Sequence, residues 1–227
     1  MKTLVINLPS RSDRMELFKQ HWNWLKYEQV DGILSDILHT GCGLAHVNAI
    51  RKGLLSHEWC LVLEDDARLG CSKEVFLQRI EEATRDLSWD AVFLGANSHT
   101  IFPEPEKIER VSASFFRSSK TKSIRNCTAM LWSRRALPLL VEFERILNEG
   151  HVFPIDRMLL SFAYPWVCTR TTGDEAEHST NITPIPVVWI CRDCLVIQEV
   201  GLLSDNELAP REDLTDSYLE QLFTRVL

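Results

Sequence analysis

The chain lacks a long hydrophobic run, an excess of positive charge, a paired cysteine framework and any internal repeat. Each absence removes a class of protein. The first residues, Met1-Lys2-Thr3-Leu4-Val5-Ile6-Asn7, hold one positive charge and three consecutive apolar residues before a polar break, short of a secretory leader or a membrane span. The expectation is a cytoplasmic protein without a transmembrane segment, with peripheral membrane contact still open. A formal net charge of −7 argues against nucleic acid as a partner, since such binders carry a basic stripe. Seven cysteines, at positions 42, 60, 71, 127, 168, 191 and 194, form an odd and scattered set that does not pair into a disulfide scaffold. Cys191-Arg192-Asp193-Cys194 is spaced like half a zinc site or a redox pair, but there is no second C-x-x-C, and His178 is too distant for a finger. The sequons at Asn126 and Asn181 are set aside for want of a leader.

What the chain does have is an abrupt junction of apolar and acidic residues, Cys60-Leu61-Val62-Leu63-Glu64-Asp65-Asp66. Four apolar residues between polar ones are too few for a helix and predict a buried strand with the acids at its carboxyl end. In open α/β sheets the ligand crevice lies outside the carboxyl ends of the strands. Adjacent carboxylates repel unless protons or a cation intervene, and hard oxygens suit Mg²⁺ or Mn²⁺ with phosphate completing the shell. A solvated acidic turn is the bland alternative, which only the surroundings can displace.

Those surroundings alternate strand and helix. Leu4 to Leu8 predicts a first strand leading into a basic loop with Arg11 and Arg14. Ser12 stands as the N-cap of a helix with Leu17, Phe18, Trp24 and Leu25 at helical spacing. A basic loop before a helix N-terminus suits phosphate or a nucleotide. Tyr27 to Val30 reads as a short strand. Gly41 and Gly43 stand just before a second helix, where their lack of side chains lets a backbone or ligand approach its N-terminus, with His46 in the first turns. Its apolar face is predicted from Leu44, Val47, Ile50, Leu54 and Leu55.

Ser72 caps a third helix reaching Leu87, and Trp89 to Gly95 predicts another buried strand. Residues 96–107 read as a loop and candidate lid, followed by a basic group of Arg110, Arg117, Lys120, Lys122 and Arg125 that can neutralise phosphates. Cys127 to Trp132 reads as a strand. Pro138 delays the next regular helix to about Leu137, and Asp156 precedes a short helix as an N-cap or a functional acid. Trp166 to Thr169 and Val187 to Ile190 read as late strands, and Asp213 to Val226 as a final helix.

The series Val5-Ile6-Asn7-Leu8-Pro9 with Ser12-Asp13-Arg14, Gly41-Cys42-Gly43-Leu44-Ala45-His46, Leu63-Glu64-Asp65-Asp66, Trp89-Asp90, Phe93-Leu94-Gly95, Trp132-Ser133-Arg134-Arg135-Ala136 and Pro154-Ile155-Asp156 resembles glycosyltransferase family 25. That family includes lipopolysaccharide-type β-galactosyltransferases of bacteria and collagen galactosyltransferase domains. The resemblance spans residues 3 to 165, with Ala45 and Pro138 as departures. It implies an α/β fold of GT-A type, a Rossmann-like twisted mixed sheet flanked by helices, in a single domain with a nucleotide-sugar half (1–95) and an acceptor half (96–227).

It also implies an inverting, metal-dependent transfer of a hexose from a nucleotide-sugar donor, a UDP-sugar first, to a glycan or glycolipid acceptor, as in lipopolysaccharide biosynthesis. Asp66 with Glu64 would hold Mn²⁺ or Mg²⁺. Asn7, Leu8, Arg11, Arg14, His46, Glu64 and Asp65 would line the donor site, and Asp156, with Asp90 in reserve, would be the catalytic base. The competing readings are a Mg²⁺-dependent phosphohydrolase and a domain that binds a nucleotide sugar or glycan without turnover.

Overall fold

The computed structural model describes residues 1–36, 40–95, 108–118, 127–149, 155–156, 159, 186–191 and 195–198. The expected lid at 96–107, Lys120, Lys122, Arg125, the strand at 166–169, Cys194 and the helix at 213–226 lie outside the described residues. A mixed sheet forms the centre, with strands β1 (Lys2–Asn7), β2 (Glu28–Asp31), β3 (Trp59–Glu64), β5 (Ala91–Phe93), β6 (Ile108–Arg110), β7 (Phe115–Ser118), β8 (Ala129–Ser133) and β9 (Val188–Cys191). Their spatial order is β2-β1-β3-β8-β5-β9-β7-β6. A separate antiparallel pair joins β4 (Ala67–Leu69) to β10 (Val196–Gln198).

β1 runs parallel to both β2 and β3, which requires a crossover helix on each connection. Those helices are α1 (Ser12–His21) and α2 (Thr40–Leu54). β8 enters antiparallel between β3 and β5, and β5 pairs parallel with β9. The chain is thus a mixed α/β protein with a large central sheet.

Alternation along β3 sorts its side chains onto two faces. Cys60 and Val62 join a core with Val47, Ile50 and Leu54 of α2 and Leu140, Phe143 and Leu147 of α4 (Leu137–Asn148). Leu61 and Leu63 join the opposite core with Met15 and Phe18 of α1, Trp22, and Phe76, Ile80 and Ala83 of α3 (Lys73–Thr84). Trp22 is the wedge of this second core: its ring meets Phe18 and Phe76, and its Nε1 donates to the Ala67 carbonyl at 2.8 Å.

Local chemistry explains where elements start. Ser72 caps α3 by accepting from the Val75 N–H at 3.3 Å, as the sequence predicts. Ser12, expected as a cap, is instead the first helical residue, with Arg11 at the cap position making no side-chain cap. A 3₁₀ turn (Arg134–Ala136) precedes α4, so Pro138 falls in the first turn, where its missing N–H costs nothing.

Gly41 and Gly43 lie inside α2 rather than before it. A Cβ on Gly41 would come within 2.0 Å of the Ile33 carbonyl oxygen, and one on Gly43 within 2.9 Å of Leu147. These glycines admit protein backbone and the neighbouring helix α4. Leu55, expected inward, is 80% exposed because α2 ends one residue earlier.

Candidate functional site at the end of the acidic strand

The carboxyl ends of β1 and β3 lie side by side, with Ile6 paired to Glu64 in register. Continued alternation beyond the strand sends Glu64 toward α2 and Asp65 toward α1. The three consecutive acids therefore serve two different neighbourhoods.

On the α1 side, Asn7 donates through Nδ2 to Asp65 Oδ2 at 2.7 Å and to the Arg11 carbonyl at 3.0 Å, while Gln29 donates to Asn7 Oδ1 at 3.2 Å. Arg14 lies 3.2 Å from Asp65 Oδ1 and 3.7 Å from Asp66 Oδ2 through the same nitrogen. Arg14 is only 7% exposed, so it is a buried counter-ion rather than part of a solvated loop. Arg11 pairs with exposed Asp13 at 3.0 Å, whose carboxyl it holds below the usual range. Leu8 is half-buried and packs beside Gly32.

Asp66 is 7% exposed, and its Oδ2 accepts from Gln198 Nε2 at 2.7 Å. Its Oδ1 is buried without a hydrogen-bond partner among the described residues. Burial, followed by repulsion from Glu64, pushes the Asp66 carboxyl up to about 7 despite Gln198 and Arg14. Asp65 is also raised by burial, against the opposing pull of Asn7 and Arg14. Carboxyls held in this way gain most from a cation that restores the lost solvation.

On the α2 side, Glu64 Oε1 lies 3.1 Å from His46 Nε2 and 3.9 Å from Cys42 Sγ, and Oε2 accepts from Thr128 at 3.2 Å. His46 is fully buried. Asp156, 8% exposed, is helical together with Ile155 rather than standing before the helix as its cap, and it sits beside Cys127 at the same end. Burial, then the charges of Asp156 and Glu64, push the Cys127 thiol well above its ordinary value.

The structure thus brings Asn7, Arg14, Asp65 and Asp66 together, with Glu64, His46 and Asp156 adjoining. It does not bring Asp90 there. Asp90 precedes β5 at the level of Ser133, which pairs with Trp59 at the opposite end of β3. Its carboxylate accepts from the Val187 N–H and pairs with Arg135 at 3.4 Å, anchoring the entry to β9. The reserve base of the sequence reading is a strand anchor, because a residue before a strand faces the end opposite the crevice.

Gln198 is the residue the sequence reading missed. It reaches Asp66 because the 195–198 segment crosses the end of β5. There the Leu195 N–H donates to the Leu94 carbonyl at 3.0 Å, and a Cβ on Gly95 would sit 2.1 Å from the Val196 carbonyl oxygen. The glycine at 95 was the available sign that another backbone passes close by.

The arrangement defines an α/β protein with a carboxylate site fit for a hard cation. No protein-family model matches the chain, and no curated protein matches it. Among solved structures it is similar to a glycosyltransferase involved in glycosylation of the major capsid of PBCV-1, at 16% identity and a TM-score of 0.42, over 74% of this chain and 78% of that one. It is also similar to the galactosyltransferase LgtC in complex with donor and acceptor sugar analogues, at 11% identity and a TM-score of 0.40, over 100% and 95%. A third is mannose-1-phosphate geranyltransferase from Thermus thermophilus, at 12% identity and a TM-score of 0.41, over 83% and 58%. Overlaps this loose do not decide function, which rests on the side chains described above. Among the described residues no helix is long and apolar enough to cross a membrane.

Proposed function

We propose that the chain is a GT-A type glycosyltransferase that moves a hexose from a nucleoside diphosphate sugar to a glycan hydroxyl with inversion. The observation that carries this reading is Asp66: a buried carboxylate at the end of a sheet strand, with one oxygen bonded to Gln198 and the other without a hydrogen-bond partner among the described residues. An orphaned, desolvated oxygen acceptor beside Asp65 fits Mn²⁺ or Mg²⁺, whose hard charge favours oxygen. Glu64, the second ligand expected from the sequence, turns instead to His46, so Asp66 would ligate the cation with Asp65 beside it. When bound, the cation neutralises the donor diphosphate. Arg14 holds both aspartates in place, and Asn7 fixes Asp65 and the first turn of the Arg11 loop.

Asp156 is the proposed base. Its carboxylate takes the proton of the acceptor hydroxyl as that oxygen bonds to the anomeric carbon. The bond from this carbon to the diphosphate breaks, and its electron pair leaves with the nucleoside diphosphate. Lipopolysaccharide-type or glycolipid acceptors and a UDP-linked donor remain the first pairs to try.

The test is release of free nucleoside diphosphate from a panel of nucleotide sugars with Mn²⁺, with and without acceptor glycans. Acceptor-stimulated release is the expected result. Release independent of any acceptor but dependent on Mg²⁺ would favour the phosphohydrolase, and donor binding without release a binding domain. Asp66→Asn is expected to weaken Mn²⁺-supported binding of the nucleoside diphosphate by about 100-fold or more in calorimetry, with the fold intact. Unchanged metal-dependent affinity would remove Asp66 from the site.

A further inference from the structure

The α2 side of the strand end holds a donor set of another character. Cys42, His46 and Glu64 each offer one atom, and these three atoms lie within 4.8 Å of one another. Cys42 and His46 are one helical turn apart on α2, so they project on the same side toward Glu64. His46 Nε2 to Glu64 Oε1 is 3.1 Å, and Cys42 Sγ to the same oxygen is 3.9 Å. Tetrahedral zinc, with bonds of about 2.0 Å to nitrogen or oxygen and about 2.3 Å to sulfur, spaces two nitrogen or oxygen ligands about 3.3 Å apart and a sulfur about 3.5 Å from either. His46 Nε2 and Cys42 Sγ both stand within about 0.4 Å of that spacing from Glu64 Oε1.

Three features favour a bound ion over a simple hydrogen-bonded cluster. The His46 ring is wholly buried with its Nε2 held against the Glu64 carboxylate, so its one described polar contact points into the donor set. Cys42 and Glu64 are only partly buried, leaving an approach for an ion and a fourth ligand. The set is also mixed, one sulfur, one imidazole and one carboxylate, which suits zinc and not Mg²⁺.

The geometry points to a zinc-class divalent site at Cys42, His46 and Glu64, separate from the oxygen-only site at Asp66 and open at one coordination position. It rests on its own donor set, whether or not the chain transfers sugar. An ion there would tie the first turns of α2 to the end of β3.

Metal-stripped full-length protein, titrated with Co²⁺ alone as a zinc stand-in, is expected to show a saturable one-to-one thiolate-to-cobalt charge-transfer band that Zn²⁺ displaces. Cys42→Ser should abolish the band and weaken zinc binding by at least about 100-fold, the loss of a direct ligand exceeding that of an outer-shell partner. Asp66→Asn should keep the band while losing Mn²⁺-supported nucleoside diphosphate binding, which separates the two sites. Absence of the band from the unmodified protein, or its survival in Cys42→Ser, overturns the site. Should Cys42→Ser fail to fold by circular dichroism, Glu64→Gln, which keeps a side chain able to bond His46, decides: undiminished zinc affinity there overturns it equally.

Discussion

The two sides of the β3 terminus are a few atoms apart and chemically unlike. Toward α1, two aspartates share a buried arginine and two amides, Asn7 and Gln198. Toward α2, a glutamate faces a thiol, an imidazole and a hydroxyl. One step along an extended backbone reverses the side-chain direction, so Glu64 and Asp65 enter different solvents though they are neighbours in sequence. An acidic triplet at a strand end is therefore two part-sites, coupled through the repulsion between Glu64 and Asp66.

The strongest way to break this contrast is Arg14→Ala. Losing the shared guanidinium strands Asp65 and Asp66, and breaking a buried pair in this way costs on the order of 3 kcal/mol. The loss should be fullest at pH 8 and smaller at pH 5, where Asp66, raised by burial to about 7, takes up a proton. Denaturant melts at the two pH values check it; equal losses at both would show that Arg14 acts through packing alone.

Asp156→Asn sharpens the α2 side. Acceptor-dependent turnover should fall by about 10²-fold while donor affinity holds, that being the usual contribution of a positioned base. Near-normal transfer would leave Asp156 as a helix-terminal residue only.

A smaller effect, of a few degrees in melting temperature, is expected from pH in metal-free protein. The folded Asp66 carboxyl is raised from 3.8 to about 7, so between these values the folded state binds more protons than the unfolded one. Its contribution to stability is therefore present at low pH and is lost as pH rises toward 7. Asp66→Asn should remove that slope, and Mn²⁺ should oppose it most at high pH. Identical pH profiles for wild type and mutant would contradict the burial described for Asp66.

Smallest of all, Asp90→Asn should cost about 1 kcal/mol, through its Arg135 pair, and leave turnover unchanged. A collapse of turnover would return Asp90 to the chemistry.

Much of the frame was legible because it is local. Ser72 capping α3, the apolar run of β3, the short β2 and the late start of α4 at Pro138 follow from residues near each other in the chain. The insertion of β8 between β3 and β5 was not, because strand partnership is a tertiary choice that no local pattern records. Arg14 read as a phosphate-holding residue of a basic loop, and only the aspartates buried beside it show that it serves as their counter-ion. The glycines of α2 suggested a close approach correctly. What approaches is the Ile33 carbonyl and Leu147, which sequence spacing could not name.

Gln198 stands 132 residues after Asp66, and that separation has a consequence for the order in which the protein is made. On the ribosome, β3 has its flanking strands β1 and β8 once Ser133 has emerged, so the acidic terminus can be framed while the rest is still being translated. At about 5–20 residues per second, Gln198 follows only after several more seconds. Throughout that interval the nascent chain holds Asp66 without its amide, and a cation bound then would close the pocket ahead of the polypeptide.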